Sequence, residues 1–425
     1  MTESARPPRL TVETREVDPV EDLLPFTSAD DPTAWLRRGD GMVGAGPAVL
    51  RLSVTGEDRI ARLADAWREI SAESRSDDEI AVPGTGLVAF GALAFDDSSA
   101  LASTLTVPST ILGRRGGRAW ITRIRREDEP FPAVPRPAGY GPHWSATLGP
   151  GRMDPAAHGD AVRAALGAID AGEVAKVVVA RDIAGTVPAS ADLRRLIRAL
   201  MTGYPDTWAY AVDGIIGASP ETLVTVRGGA VTARVLAGTR PRGADADEDT
   251  AITAELAASA KDLDEHGYAV RSVLEALRPH TSALAAAEQP FTLKLPNLWH
   301  LATDVEGTLS NGSSALDMAR ALHPTAAVAG TPRDAATALI RRIEPFDRGR
   351  YAGPVGWIDA RGDGEWAIAL RCAQFEPAAE ATPDAAGAVR GVTAHAGGGI
   401  VAGSAPEAEL LETRVKFRPI VDALA

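Results

Sequence analysis

Residues 207–236, TWAYAVDGIIGASPETLVTVRGGAVTARVL, hold strand-like runs with no helix between them. The runs fall near 207–217, 221–227 and 230–236, rich in Val, Ile, Thr and aromatic residues and broken by Gly and Pro. Strands joined this closely pair antiparallel, because a parallel neighbour needs a long crossover. Upstream, AKVVVARDIAG (175–185) adds another strand, and residues 191–202 read as a helix. DPAAHGDAVRAALGAIDAG (154–172) reads as a helix with Asp154 at the cap and Pro155 in the first turn. Downstream come a long helix over roughly 249–278 and helices near 314–322 and 333–343. Two strands follow, GPVGWIDA and EWAIALRCAQF, then a glycine turn, AHAGGGIVAGS, and a final helix from about Pro406. The pattern is α+β with large mixed or antiparallel sheets rather than a strictly alternating parallel sheet.

Towards the N-terminus, strands are expected at 48–54, 87–95 and 118–125, and a helix at 57–73. Residues 1–33 are polar and proline-rich and read as a loosely packed start. Five prolines between Pro130 and Pro142 mark a surface connector. It divides an N-terminal part, 34–129, from a core over 143–425. Whether it is a true linker or a loop within one domain stays open at this level.

With 425 residues the chain can bury a large core, and 45 % hydrophobic and 24 % charged residues are ordinary for a globular protein. Its formal charge of −13 disfavours nucleic acid as partner. A single cysteine, Cys372, excludes an internal disulfide framework and a cysteine-rich metal site. No segment has the apolar length of a membrane span, and the start, MTESARPPRLTVETREVD, lacks a signal-peptide core, so a cytoplasmic location is expected.

Four places carry candidate chemistry. In PEAELLETRVKF, Glu409, Glu412 and Lys416 share one helical stripe, either as surface pairs or as part of a site. The glycines Gly397, Gly398 and Gly399 just before that helix would let backbone amides approach an anion. In SAKDLDEHGYAV, Asp262 and Glu265 are one turn apart, a solvated face or ligands to a hard cation. Carboxylates on two helices without a cysteine cluster suit Mg²⁺. His266, about 100° round the helix from Glu265, is not expected to join them. Lys176 opens an apolar strand, either as its solvated end or, if enclosed, as a neutral general base. Glu221 follows Ser-Pro at a strand junction, as a turn residue or, if enclosed, as a protonated general acid.

Taken in order, AKVVVAR, GASPETL, LAGTRPRG, SAKDLDEH, LWHLATDVEG, LHPTAAVAGTP, RYAGPVGW, ALRCA and AGGGIVAGSAPEAELLETRVK resemble the chorismate-utilising enzymes over about 155–420. These comprise isochorismate synthase, salicylate synthase, and component I of anthranilate and aminodeoxychorismate synthases. GLVAFGALAFDD resembles the matching N-terminal segment of isochorismate synthases less specifically. The resemblance implies one large α+β domain with two packed antiparallel sheets and a cleft between them.

Ala237 stands where the aminodeoxychorismate branch has a lysine, and Lys176 stands where ammonia users lack one. The resemblance therefore leans to isochorismate synthase, a Mg²⁺-dependent isomerase whose product feeds menaquinone or siderophore synthesis. Salicylate synthase and anthranilate synthase component I remain the alternatives. By the same resemblance, Lys176 deprotonates the attacking water and Glu221 protonates the departing hydroxyl. Glu265 and Glu412 hold Mg²⁺, and Asp262 and Glu409 steady its waters. Arg371, Lys416, Tyr351 and the amides of Gly397, Gly398 and Gly399 seat the enolpyruvyl carboxylate, and His300 lies near the ring. A monomer without a glutaminase subunit is expected. The chain departs from the family at Leu410 or Leu411, often Trp, and at Ala326, often Pro.

Overall fold

The structure, a computed structural model, describes residues 8–294, 298–377 and 387–425. The N-terminal part holds β1 (Leu10–Val17), β2 (Thr33–Arg37), β3 (Asp40–Val54) and α1 (Arg59–Glu73). It continues with β4 (Arg75–Asp78), β5 (Val88–Ala92), β6 (Ser103–Arg115) and β7 (Arg118–Arg126). After the proline-rich segment come β8 (Thr147–Pro150), α2 (Pro155–Asp170), β9 (Lys176–Pro188) and α3 (Arg194–Gly203). Next are β10 (Trp208–Val212), β11 (Ile215–Ser219), β12 (Thr222–Arg227) and β13 (Ala230–Pro241). Then α4 (Ala246–Ala258), α5 (Ala260–Leu277), β14 (Thr281–Ala286), β15 (Phe291–Lys294) and β16 (Leu298–Leu309) follow. The chain ends with α6 (Ala315–Leu322), β17 (Gly330–Thr331), α7 (Arg333–Ile343) and β18 (Pro354–Asp359). β19 (Gly364–Ile368), β20 (Cys372–Phe375), β21 (Val389–Ile400) and α8 (Pro406–Leu424) complete it.

The two expected sheets are two arms of one hydrogen-bonded network, antiparallel except where β1 meets β4. They meet at the long strand β6. The first arm runs β6, β3, β2, β10, β11, β20, β21, β9 and ends on the short strands β8 and β17. The second runs β6, β5, β18, β19, β12, β13, β16, with β14 and β15 on the far edge. The arms face each other across a core holding Trp35 and Tyr210 from the first and Phe90, Trp357 and Trp366 from the second. The indole of Trp35 donates to Glu365 Oε2 across that gap at 3.1 Å. Strand alternation sorts the layers: Tyr210 and Val212 of β10 point into this core, while Ala209 and Ala211 join a second core under α3 and α8. α5 and α6 pack on the second arm.

Asp154 caps α2 as its sequence suggests, accepting from the Ala157 amide at 2.8 Å. Elsewhere the structure corrects the boundaries. The run near 207–217 is a hairpin, because Asp213 and Gly214 both take positive φ (52° and 79°) in a two-residue turn. The long helix over 249–278 is two, because Ser259 leaves helical geometry and its side chain accepts from Asp262 N, capping α5. The loosely packed start expected over 1–33 is overturned from Leu10 onward. There β1 pairs with β7 along its whole length and buries Leu10 and Val12. The proline-rich segment lies against α3: Tyr140 faces Arg194 and Arg198, and Trp144 donates to the Asp192 carbonyl. Proline removes ladder donors, and side-chain anchors take their place.

Candidate active site

Two of the chain's crossings between the arms lie side by side. Residues 219–222 lead from β11 to β12, and residues 369–371 lead from β19 to β20. The two crossings bond to each other: Ile368 N donates to Glu221 O at 3.0 Å and Ala218 N to Arg371 O at 3.1 Å. Ser219 Oγ donates to Ile368 O at 2.6 Å and accepts from Glu221 N at 3.2 Å, fixing the turn. This is why Glu221 and Arg371, far apart in sequence, share one site. Burial pushes the Glu221 carboxyl up, against the pull of Lys176, Arg371 and Lys416.

Lys176 starts β9 on the first arm, paired with β17 on one edge and leading into β21 on the other. Lys176 and Glu221 both line a cavity of about 620 Å³ between the arms and α5, together with Ala237, Tyr268, Thr331 and Val401.

The three glycines form no turn, which corrects the expected glycine loop. They are residues of β21, opposite Ala180, Val179 and Val178 of β9. On its other edge β21 is paired with β20 only as far as Ala394, so alternate amides beyond it face an open edge. Their lack of side chains matters on both faces. A Cβ on Gly399 would stand 2.9 Å from Lys176 Cε. A Cβ on Gly398 would stand 2.8 Å from Glu409 Oε2 and 3.4 Å from Glu412 Oε1.

On α8, Glu409 is buried, with Oε1 accepting from Ser404 Oγ at 2.7 Å and Oε2 lacking a hydrogen-bond partner. Burial, with Glu412 close by, pushes its carboxyl up, against the Ser404 hydrogen bond. Glu412 makes the helix-surface pair with Lys416 at 2.5 Å, and Lys416 Nζ also donates to Gly397 O at 2.8 Å. On α5, Asp262 is buried and held by Arg240 Nη2 at 2.7 Å. Glu265 lies one turn further on the same helix, and its side chain falls outside the described residues. An orphaned carboxylate oxygen beside a missing Cβ, with a second carboxylate converging, fits a hard cation. Among the described residues alone, no three acidic, histidine or cysteine side chains converge for one. His266 is used structurally, its Nε2 2.7 Å from Thr303 Oγ1 and its Nδ1 3.2 Å from Ala237 O.

His300 on β16 lies opposite the irregularity in β13 at Gly238, and burial lowers its pKa against a hydrogen bond with Gly238. Lys176 and Lys416 lower it further, which puts His300 within electrostatic reach of both. Tyr351 is buried, stacked on His395 with ring centroids 5.1 Å apart, and burial pushes its phenol up to about 12. It sits behind the site, near Arg371, rather than in the cavity wall. The sequence reading did not single out Ser219, Tyr268 or Thr331. Only the Ser-Pro pair before Glu221 hinted at the first of them.

A model of the chorismate binding enzymes matches residues 142–425, and the chain belongs to that family. It is 40 % identical over 353 residues to a putative isochorismate synthase, MenF, of Mycobacterium tuberculosis, covering 80 % of this chain and 87 % of the relative. A solved structure described as a putative 2,3-dihydroxybenzoate-specific isochorismate synthase from Bacillus anthracis superposes with a TM-score of 0.71. That match has 30 % identity and covers 95 % of this chain and 98 % of that one. MenF, the menaquinone-specific isochorismate synthase of Escherichia coli, superposes with a TM-score of 0.75 at 26 % identity, over 97 % and 95 %.

Proposed function

We propose that this chain is an isochorismate synthase that converts chorismate reversibly to isochorismate. The observation that carries the reading is the cavity shared by Lys176 and Glu221, in which burial favours the protonated carboxyl. Lys176, as the neutral amine, takes a proton from water as its oxygen bonds to C2. Both ring double bonds shift, C1=C2 to C1=C6 and C5=C6 to C4=C5, as the C4–O bond breaks, and Glu221 gives its proton to the departing hydroxyl, which leaves as water. In the reverse direction Glu221 is the base and Lys176 the acid. Ala237 lines the same cavity, so a methyl group stands where the aminodeoxychorismate branch carries its lysine.

Arg371 and Lys416, with alternate amides of the Gly397–Gly398–Gly399 strand, complement the enolpyruvyl carboxylate. Tyr351 supports this group from behind, and His300 faces the ring. Glu412 and Glu265 would hold Mg²⁺, with Glu409 steadying its waters. When bound, the ion neutralises the ring carboxylate. Asp262 has a guanidinium partner, so its first role is to tie α5 to β13. The chain acts without a glutaminase subunit, as a cytoplasmic monomer.

Product analysis with chorismate, Mg²⁺ and no ammonia tests this. Isochorismate without stoichiometric pyruvate is expected, whereas salicylate with pyruvate replaces the reading by a salicylate synthase. Lys176→Ala and Glu221→Ala should each slow both directions, by about 10²–10⁴-fold. Lys176→Arg should not restore the rate, because a guanidinium is effectively always charged.

A further inference from the structure

Strand β9 has a gap in its outer edge. β17 covers it at Lys176 and Val177, and β8 covers it from Ile183 onward. Val178 N still reaches Ala329 O at 2.8 Å, but Val178 O and Ala180 N face a buried region where unpaired groups are costly. A glutamate and an arginine from the segment after α7 fill the gap. Glu344 Oε1 accepts from Ala180 N at 2.8 Å, and Arg348 Nη2 donates to Val178 O at 2.9 Å. The two side chains, 1 % and 2 % exposed, bond to each other through both carboxylate oxygens at 2.6 and 2.8 Å.

Arg348 does more than close the edge. Its Nη1 donates to Val328 O at 2.8 Å, in the segment whose residues 325–327 and 330–332 line the cavity. Its guanidinium also lies over the Phe95 ring at 4.5 Å and within 6.0 Å of the Tyr351 ring. A buried ion pair is a poor source of net stability, since well-packed apolar residues commonly do as well. This pair does something apolar side chains cannot: it hydrogen-bonds two different backbone segments at once.

We propose that Glu344 and Arg348 are positioning residues that act as a surrogate strand, setting Lys176 against the 325–332 wall of the cavity. This rests on the reading of Lys176 as the base. Lys176 is two residues from Val178 along a stiff strand, and Arg348, bonded to both Val178 O and Val328 O, sets the spacing of the backbone pairing that seats Lys176 against Thr331. A shift of about 1 Å costs on the order of 10²-fold in rate.

The test uses Glu344→Met/Arg348→Met, which removes both charges together and leaves no buried ion unpaired, alongside Glu344→Gln, which keeps an acceptor for Ala180 N. The double variant should stay folded by circular dichroism, lose about 10–100-fold in kcat with KM for chorismate changed less, and show faster amide exchange at 177–180. The limb of its pH–rate profile that reports Lys176 should move. Glu344→Gln should recover much of the rate. A folded double variant with the parent kcat, pH limb and exchange overturns the proposal. If the double variant does not fold, Glu344→Gln carries the same readouts: faster exchange at Ala180 together with a lower kcat supports the clamp, and faster exchange with parent kinetics overturns it. Lys176→Ala separates this from the parent reading. If Lys176→Ala keeps its rate, the base assignment falls, and a slow double variant still shows the pair acting through the Val328 wall.

Discussion

On α5 the carboxylates Asp262 and Glu265 stand three residues apart, and on α8 so do Glu409 and Glu412. The family resemblance casts the two helices as equivalent halves of one cation site. Their surroundings differ. Asp262 meets Arg240 of β13 at 2.7 Å, so its charge is already balanced. Glu409 meets Gly398 of β21, which offers no side chain, and one of its oxygens has no hydrogen-bond partner. A carboxylate's use is therefore set by the strand it packs against. Arg240 turns one into a structural anchor, and Gly398 leaves the other available to a ligand.

This contrast can be broken by mutation. The largest effect is expected from Glu412→Ala, which removes a proposed direct ligand and should abolish Mg²⁺-dependent turnover, by about 10²-fold or more in a chorismate assay. Gly398→Ala comes next. Its methyl would stand 2.8 Å from Glu409 Oε2, so activity should fall while thermal unfolding of the metal-free protein changes little. Parent-like Mg²⁺ dependence in Gly398→Ala would end the idea that this glycine makes room for an ion.

Glu409→Gln should cost about 10–100-fold in activity and raise the Mg²⁺ requirement. Its stability effect has the opposite sign. The Glu409 pKa is raised in the folded protein, so its favourable contribution is present below the ordinary carboxylate range and lost as pH rises through the raised value. Metal-free Glu409→Gln should therefore melt above the parent at neutral pH and lose that advantage near pH 4.

Asp262→Asn should do the reverse and do least. It should lower Tm by an amount corresponding to about 1 kcal/mol, with a smaller loss of activity than at Glu409. A double-mutant cycle with Arg240→Met should recover the coupling. If Asp262→Asn proves as damaging to turnover as Glu409→Gln, with no coupling to Arg240, the two helices are equivalent after all.

Local signals carried much of the fold. The cap at Asp154, the strands at 221–227 and 230–236 and the amphipathic α1 were legible because local propensity or period is clear there. The break at Ser259 was not, since a serine inside an apolar-periodic run reads as a tolerated helix residue until its side chain is seen to cap. The glycine run misled for a related reason. Three glycines before a helix suggest a loop, and only pairing with β9 makes them strand. At the site, Lys176 and Glu221 were singled out from the sequence and line one cavity, but the pairings around the candidate residues came from remote segments. Ser219 bonds across to Ile368, and Asp262 finds Arg240 on another element. One-dimensional patterns do not record such pairings.

The junction at β6 bears on how the molecule can be divided. The family match begins at residue 142, as though the preceding stretch were an appendage. Yet β2 pairs with β10 and β5 with β18, so the N-terminal strands are inserted into both arms. Severing the chain in the proline-rich segment would leave two pieces with raw edges, each a template for the other or for aggregation. The halves should behave as complementing fragments: mixed together they reconstitute one enzyme, and apart neither is a soluble domain.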